Sequence, residues 1–290
     1  MNRTHTALIF GESGVGKSSI VNMLFDENKA VTSDAAIGCT FQHEKYSMVH
    51  EGENVLQIFD TVGLSEADKG LVKGTEAISN LVQLLDSLGE GINIIIHCIK
   101  KGTILQSSHN NYNIFVEGMC KNKVPVILAV TGCEQDDPMN KWWEGENSNT
   151  FTTNKDIVLN RFNMKQVKAC VCMTTIRDGL FADCCKPKYI QSRNELFDQI
   201  FELSLKKPFK MDNSIDWVSY IVTQSWNVLA ESFGLKSGTL PVDKFLYNAY
   251  QKIGLDKKSA KIESNKYAGE RKNAKAKDVF KVCCVFTRNF

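Results

Sequence analysis

Proline is scarce in this chain, 5 in 290 residues, and no tract is of low complexity. Collagen-like and proline-rich extended architectures are thereby excluded. Long hydrophobic runs are missing too. The most apolar stretches, Ile92 to Ile99 and Val124 to Val130, fall far short of the roughly 20 residues that a spanning helix needs. Met1 to Phe10 carries one Arg and a short apolar run that leads straight into a glycine loop, which does not read as a secretory signal. Neither sign of charge dominates: 35 Lys and Arg against 33 Asp and Glu leave +2, so bulk charge does not recommend a polyanionic partner. Cysteine is plentiful, at 10, but lacks metal-ligand spacing. Cys170 and Cys172 are one residue apart, Cys184–Cys185 and Cys283–Cys284 are adjacent, and no His sits at zinc-finger distance from them. They read as reduced thiols of a cytoplasmic protein. The 5 His and the scattered acids make no triad or metal-hydrolase pattern. What remains, 43% hydrophobic and 23% charged, is a globular balance long enough for a substantial core.

The first two thirds alternate strand and helix signals. Thr6 to Phe10 reads as a strand and Ser19 to Phe25 as a helix. Tyr46 to Val49 and Val55 to Phe59 form a hairpin around Glu51-Gly52-Glu53-Asn54. Ala77 to Leu88 has helical spacing, Ile92 to Ile99 is a buried strand, Asn111 to Cys120 a helix, and Val124 to Val130 another buried strand. A polar loop, Gly132 to Thr150, precedes a helix over Asp156 to Phe162, a last strand at Val167 to Met173 and an amphipathic helix at Arg193 to Leu205. Continuous apolar strands alternating with helices predict an α/β fold with a mainly parallel sheet covered on both faces. Pro208 and Lys210 to Ser214 mark a boundary, giving a domain over 1–206 and a helical extension over 207–290, with helices at Trp217 to Phe233 and Val242 to Ile253.

Gly11-Glu12-Ser13-Gly14-Val15-Gly16-Lys17-Ser18 matches G-x-x-x-x-G-K-[ST] at every fixed position, between a strand and a helix. Glycines let successive backbone N–H groups turn inward on phosphate, and the helix that begins near Lys17 and Ser19 adds its free N–H groups and positive end. Lys17 is assigned to the β- and γ-phosphates, and the Ser18 hydroxyl to Mg²⁺. The fold expected is that of P-loop NTPases.

Phe59-Asp60-Thr61-Val62-Gly63 ends the second hairpin strand. Asp60 is placed to support Mg²⁺, and the Gly63 N–H to contact a γ-phosphate, which a diphosphate lacks. Thr40, just before the Tyr46 strand, is the switch threonine that would close on Mg²⁺ and γ-phosphate, with Thr32 and Ser33 as alternatives. Val130-Thr131-Gly132-Cys133-Glu134 leaves the second buried strand. A carboxylate at Glu134 accepts from both N1–H and the exocyclic N–H of guanine, a donor pair that adenine does not offer; a solvated loop acid is the plain alternative. The usual form is [NT]-K-x-D, so Gly132 replaces a Lys that packs on the base, and Glu134 replaces the Asp. Ala169-Cys170-Val171 is assigned to the guanine carbonyl through backbone N–H groups, or else Cys170 and Cys172 are core thiols.

With these motifs in order, residues 5 to 205 resemble the TRAFAC class of GTPase domains, and most of all the AIG-type group related to septins and chloroplast import-receptor GTPases. Asp60-Thr61-Val62-Gly63-Leu64 and Thr131-Gly132-Cys133-Glu134 carry that likeness. Asn111-Tyr112, Val124-Pro125 and Trp142-Trp143 are similar to uncharacterised GTPase-domain proteins common in fungi. The resemblance implies GTP and GDP as ligands, Mg²⁺ as cofactor, a switch cycle and dimerisation across the nucleotide face. It also exposes a departure. Ras-like enzymes hold a water-orienting Gln where this chain has Leu64, so slow intrinsic hydrolysis is expected, below roughly 10⁻² s⁻¹. Help would come from a second copy or an effector, and Ser13 is placed to meet either the γ-phosphate or that copy. A nucleotide-loaded scaffold without useful turnover, and a P-loop ATPase or nucleoside kinase, are the competing readings.

Three further features carry two readings each. Met139 with Trp142-Trp143 is either a partner surface or packing of the long loop, with packing preferred. His97 reads as a core histidine before a catalytic base. Residues 252–281 hold 10 Lys and Arg against 4 Asp and Glu before Cys283-Cys284 and an apolar end. That tail is a peripheral membrane contact or a solvated helix that packs back; the C-terminal Thr-Arg-Asn-Phe excludes prenylation, and nucleic acid is not expected.

Overall fold

In the computed structural model, the described residues are 3–27, 43–50, 52, 54–61, 83–84, 87–146, 151–210, 246–247, 250–251 and 254–266. Six strands form one sheet: β1 (Arg3–Gly11), β2 (His43–His50), β3 (Asn54–Thr61), β4 (Ile94–Lys100), β5 (Val126–Thr131) and β6 (Val167–Cys172). Their order is β2-β3-β1-β4-β5-β6. Only β2 runs antiparallel to its neighbour, with His50 opposite Asn54 across the hairpin and Glu44 opposite Asp60. The other pairs are parallel. The helices are α1 (Lys17–Phe25), α2 (Gln106–Tyr112, continued as a π-helix over Asn113–Met119), α3 (Lys141–Glu144), α4 (Asn154–Arg161) and α5 (Ala182–Leu203).

The apolar runs become a two-sided sheet because a strand alternates its side chains between faces. Ala7 and Ile9 of β1, Ile94 and Ile96 of β4 and Ile127 and Ala129 of β5 pack with α1 and α5 through Ile20, Leu24, Leu196 and Ile200. Leu8 and Phe10, Ile95 and Ile99, and Leu128 and Val130 face the other layer, where Phe115, Trp143, Val158 and Phe162 cover them. Phe10 stacks between Phe115 and His97, at 4.7 and 4.6 Å between ring centres. His97 is a core residue, bonded through Nε2 to Ser108 Oγ at 3.1 Å, and burial holds its pKa down to about 3.

Several boundaries differ from expectation: β1, β2 and α2 begin three, three and five residues early. The α4 helix begins two residues early, because Thr153 caps it: its hydroxyl accepts from Asp156 N at 3.0 Å and donates to the Asp156 carboxylate at 2.7 Å. The α5 helix starts at Ala182, not Arg193, and carries Pro187 inside. The missing N–H of Pro187 hid this first part, since proline normally stops a helix interior. Residue Arg193, expected as the helix start, instead donates from mid-helix to Met23 O (3.0 Å) and Leu24 O (3.4 Å), closing the C-terminal end of α1. In the Gly132 to Thr150 loop, Lys141–Glu144 forms α3 and buries Trp143.

The boundary at Pro208 leads back to the domain. Phe209 and Ile92 exchange both backbone hydrogen bonds, at 2.8 and 2.9 Å. Asn93, buried, accepts from Thr6 N (2.9 Å) and donates to Leu205 O (2.8 Å), which Arg3 also reaches at 2.6 Å. Beyond residue 210, Leu246, Tyr250 and Ala260 are buried in the same layer as Ile92. Among the described residues, no helix is long and apolar enough to cross a membrane. Most of the expected helix over Ala77 to Leu88, the helix at Trp217 to Phe233 and the tail with Cys283 and Cys284 lie outside the described residues.

Candidate nucleotide site

The loop between β1 and α1 lies at the carboxyl end of the central strands. Gly14 and Gly16 adopt left-handed backbone, φ 68° and 95°, where a Cβ would be strained. At Gly11, a Cβ would stand 2.3 Å from the carbonyl oxygen of Cys98 on β4, so only glycine lets the strands pass here. The first turn of α1 has neither a capping side chain nor an acid, so its leading N–H groups are left for an external anion.

Lys17 folds back under this loop. Only 8% of it is exposed, and its ammonium donates to Gly11 O at 3.1 Å and Glu12 O at 2.8 Å. Glu12 in turn accepts from the Ser107 hydroxyl on α2, and Val15 O accepts from Thr131 Oγ1 at 2.7 Å. These bonds tie the loop to the start of α2 and to the end of β5. The side chains of Ser13 and Ser19 make no hydrogen bond among the described residues.

Ser18 Oγ donates to Asp60 Oδ2 at 3.2 Å. The other carboxylate oxygen, Asp60 Oδ1, is buried with no hydrogen-bond partner among the described residues. Burial pushes the Asp60 carboxyl up to about 6, opposed by Lys17 and by the Ser18 hydrogen bond and reinforced by Glu44. A hydroxyl and a half-satisfied buried carboxylate are hard oxygen donors of the kind that Mg²⁺ takes, so the residues fit the implied cation. The raised pKa has a consequence for stability. Folded Asp60 holds its proton more tightly than the unfolded residue, so this group destabilises the fold progressively as pH rises from about 4 to about 6. Asp60→Asn is therefore expected to stabilise the metal-free protein at pH 7.5 by on the order of 2 kcal/mol, and the gain should vanish near pH 4. Urea titrations at both pH values check this; equal stability of the two proteins at pH 7.5 contradicts it.

On the far side, Thr131 ends β5 opposite Lys100. Glu134 is half-buried, and Lys188 of α5 donates to its carbonyl at 3.1 Å and to that of Asp136. The Asp136 carboxylate pairs with Lys101 at 2.6 Å. Cys170 and Val171 sit within β6, paired with Leu128 and Ala129, and the Val171 side chain is wholly buried. Thr174 and Thr175 follow the strand end, and Thr175 Oγ1 would be 3.8 Å from a Cβ at Gly16. The strand-interior placement of Cys170 and Val171 moves the segment nearest the loop to these threonines. The sequence reading passed over them, and Lys101, Asp136 and Lys188 too. None belongs to a spaced motif; each reaches the site through a contact between distant parts of the chain. Thr40, Gly63 and Leu64, with Thr32 and Ser33, lie outside the described residues.

Residues 6–131 match the family model of the 50S ribosome-binding GTPase. No curated protein matches the chain. Among solved structures, it is similar to an Era variant of Aquifex aeolicus bound to GDP·AlF4, at 17% identity and TM-score 0.48 over 71% of this chain and 58% of that one. Era in complex with MgGDPNP and a segment of 16S ribosomal RNA aligns at 16% identity and TM-score 0.48, over 77% of this chain and 66% of that one. The chain thus spans less than two thirds of either Era chain. Toc33 of Arabidopsis thaliana with GDP and Mg²⁺ aligns at 19% identity and TM-score 0.43, over 67% and 86% of the two chains. The segment similar to GTPases carries the 11–18 loop, Asp60 and Thr131, and the chain has the α/β fold of P-loop NTPases.

Proposed function

We propose that this protein is a guanine-nucleotide switch that binds GTP and GDP with Mg²⁺ and hydrolyses GTP slowly. The observation that carries the reading is the buried Lys17 ammonium, held by two loop carbonyls next to the Ser18–Asp60 pair. A desolvated cation under a ring of free N–H groups is a receptor for a phosphate chain. In this reading the backbone of Gly11 to Ser19 cradles the phosphates, Lys17 bridges the two outermost, and Ser18 and Asp60 hold Mg²⁺ together with Thr40. Bound Mg²⁺ would neutralise charge as the terminal phosphate leaves. Gly63 reports that phosphate, Thr131 braces the loop, Glu134 reads the guanine edge, and the Thr174–Thr175 turn faces the guanine carbonyl in place of Cys170 and Val171.

Leu64 cannot orient water, which supports slow turnover and a need for a second copy or a partner. Leu180 and Phe181, 99% and 66% exposed between β6 and α5, offer an apolar contact point to either. Turnover that rises with protein concentration supports the homodimer; turnover absent at every concentration leaves the scaffold reading.

Titration of fluorescent GTP, GDP and ATP analogues with Mg²⁺ tests the base assignment. Wild type should prefer guanine by about tenfold or more, ~1.4 kcal/mol, and Glu134→Ala should erase the preference. Equal binding of ATP by wild type, or an unchanged preference in Glu134→Ala, removes the guanine reading and leaves a generic P-loop site.

A further inference from the structure

The usual base-recognition loop places a lysine stem against the purine, and this chain has Gly132 there. Gly132 adopts φ 81°, and the space beside it borders the side chains of Lys100 and Lys101. A Cβ at Gly132 would lie 3.7 Å from Cγ and 3.9 Å from Cε of Lys100, the last residue of β4. Lys100 is register partner to Thr131, so its stem crosses the loop between the residue that braces the phosphate loop and the one that reads the base edge. Other cations nearby are committed: Lys101 to the Asp136 carboxylate, Lys188 to the carbonyls of Glu134 and Asp136. Lys100 is exposed, and its ammonium makes no hydrogen bond or ion pair among the described residues.

We propose that Lys100, reaching in from the neighbouring strand, is the residue whose methylene stem covers the face of the bound purine. This rests on the nucleotide-binding reading above. Glu134 can select only the edge of a base; a flat ring also needs an apolar cover to leave water. Gly132 leaves the room for that cover, and the Lys100 stem fills it while the ammonium stays in water.

The test uses the full chain with fluorescent GDP and ATP analogues, on wild type, Lys100→Ala and Lys100→Met. Lys100→Ala should weaken GDP binding about tenfold, the effect of withdrawing roughly two methylenes from contact. Lys100→Met, which keeps the stem, should stay within about threefold of wild type, and the melting temperature without nucleotide should be equal in all three. GDP affinity of Lys100→Ala within twofold of wild type overturns the proposal, as does a Met variant as weak as Ala. If wild type holds ATP as tightly as GDP, the guanine reading fails separately. Lys100 then stands or falls on the same Ala-to-wild-type ratio measured with ATP, since the stem covers either purine.

Discussion

Lys17→Met is expected to lower affinity for GTP and GDP by at least about a hundredfold while leaving the protein as stable as wild type or slightly more so. The two effects come from one source. The Lys17 ammonium is nearly buried and bonded to two neutral carbonyls, Gly11 O and Glu12 O. Burying a charge against neutral acceptors recovers only part of its hydration, so the free protein carries a cost that a neutral stem of equal length removes. With a phosphate chain in the loop, the same ammonium gains charged acceptors in a water-poor setting. Truncating one partner of such a pair costs about 3 kcal/mol, or roughly two decades in Kd. Lys17→Arg is no rescue, because a planar guanidinium cannot occupy the volume of a compact ammonium under the loop. Nucleotide titration and thermal melting of the same samples check both halves. A Lys17→Met protein that binds within threefold of wild type would remove Lys17 from the site.

How much of this was legible beforehand depends on what kind of signal each element leaves. The phosphate loop reads as a string because its work is done by backbone at fixed spacing: Gly14 and Gly16 need positive φ and Gly11 needs the room that Cys98 O denies to a Cβ. The buried strands read as apolar runs because both of their faces are covered. Pro187 misled, because the cost of one missing hydrogen bond inside α5 is borne by the packing of Tyr189, Leu196 and Ile200 below it. On the proposed base side the signals are mixed. Thr131 and Glu134 follow a strand in a recognisable order, but Thr175, Lys100 and Lys188 arrive from β6, β4 and α5, and no local pattern records that meeting. Cys170 and Val171 show the same limit in reverse: a short apolar strand does not say where it ends, and β6 runs on to Cys172 before the chain turns.

Truncation of Trp143 separates the two readings of the tryptophan pair. Trp143 is 1% exposed and among the largest fully buried side chains of the molecule. It shares a core layer with Met139, Val158, Phe162 and Met164, while Trp142 is partly buried beside it, 5.9 Å between ring centres. Polar ties on the short α3 helix lie mostly at its surface: Asn154 donates to Trp142 O at 2.7 Å, and Glu144 accepts from Lys155 at 2.9 Å and from Asn140 at 2.7 Å. A four-residue helix has almost no stability of its own, so burial of this indole keeps the segment down. Trp143→Ala should cost about 3–5 kcal/mol, a large share of the ~5–15 kcal/mol that holds a domain folded. Trp143→Phe, which fills most of the volume, should recover all but about 1–2 kcal/mol. The loop that carries Glu134 is anchored by Thr131 and Lys188 at one end and by Trp143 at the other, so, on the proposed role of Glu134, the Ala variant should also hold nucleotide less tightly wherever it remains folded. Urea denaturation of the three proteins decides the matter. A partner surface predicts Trp143→Ala within about 1 kcal/mol of wild type, as exposed positions are, whereas a packed loop predicts the loss and its recovery by Phe.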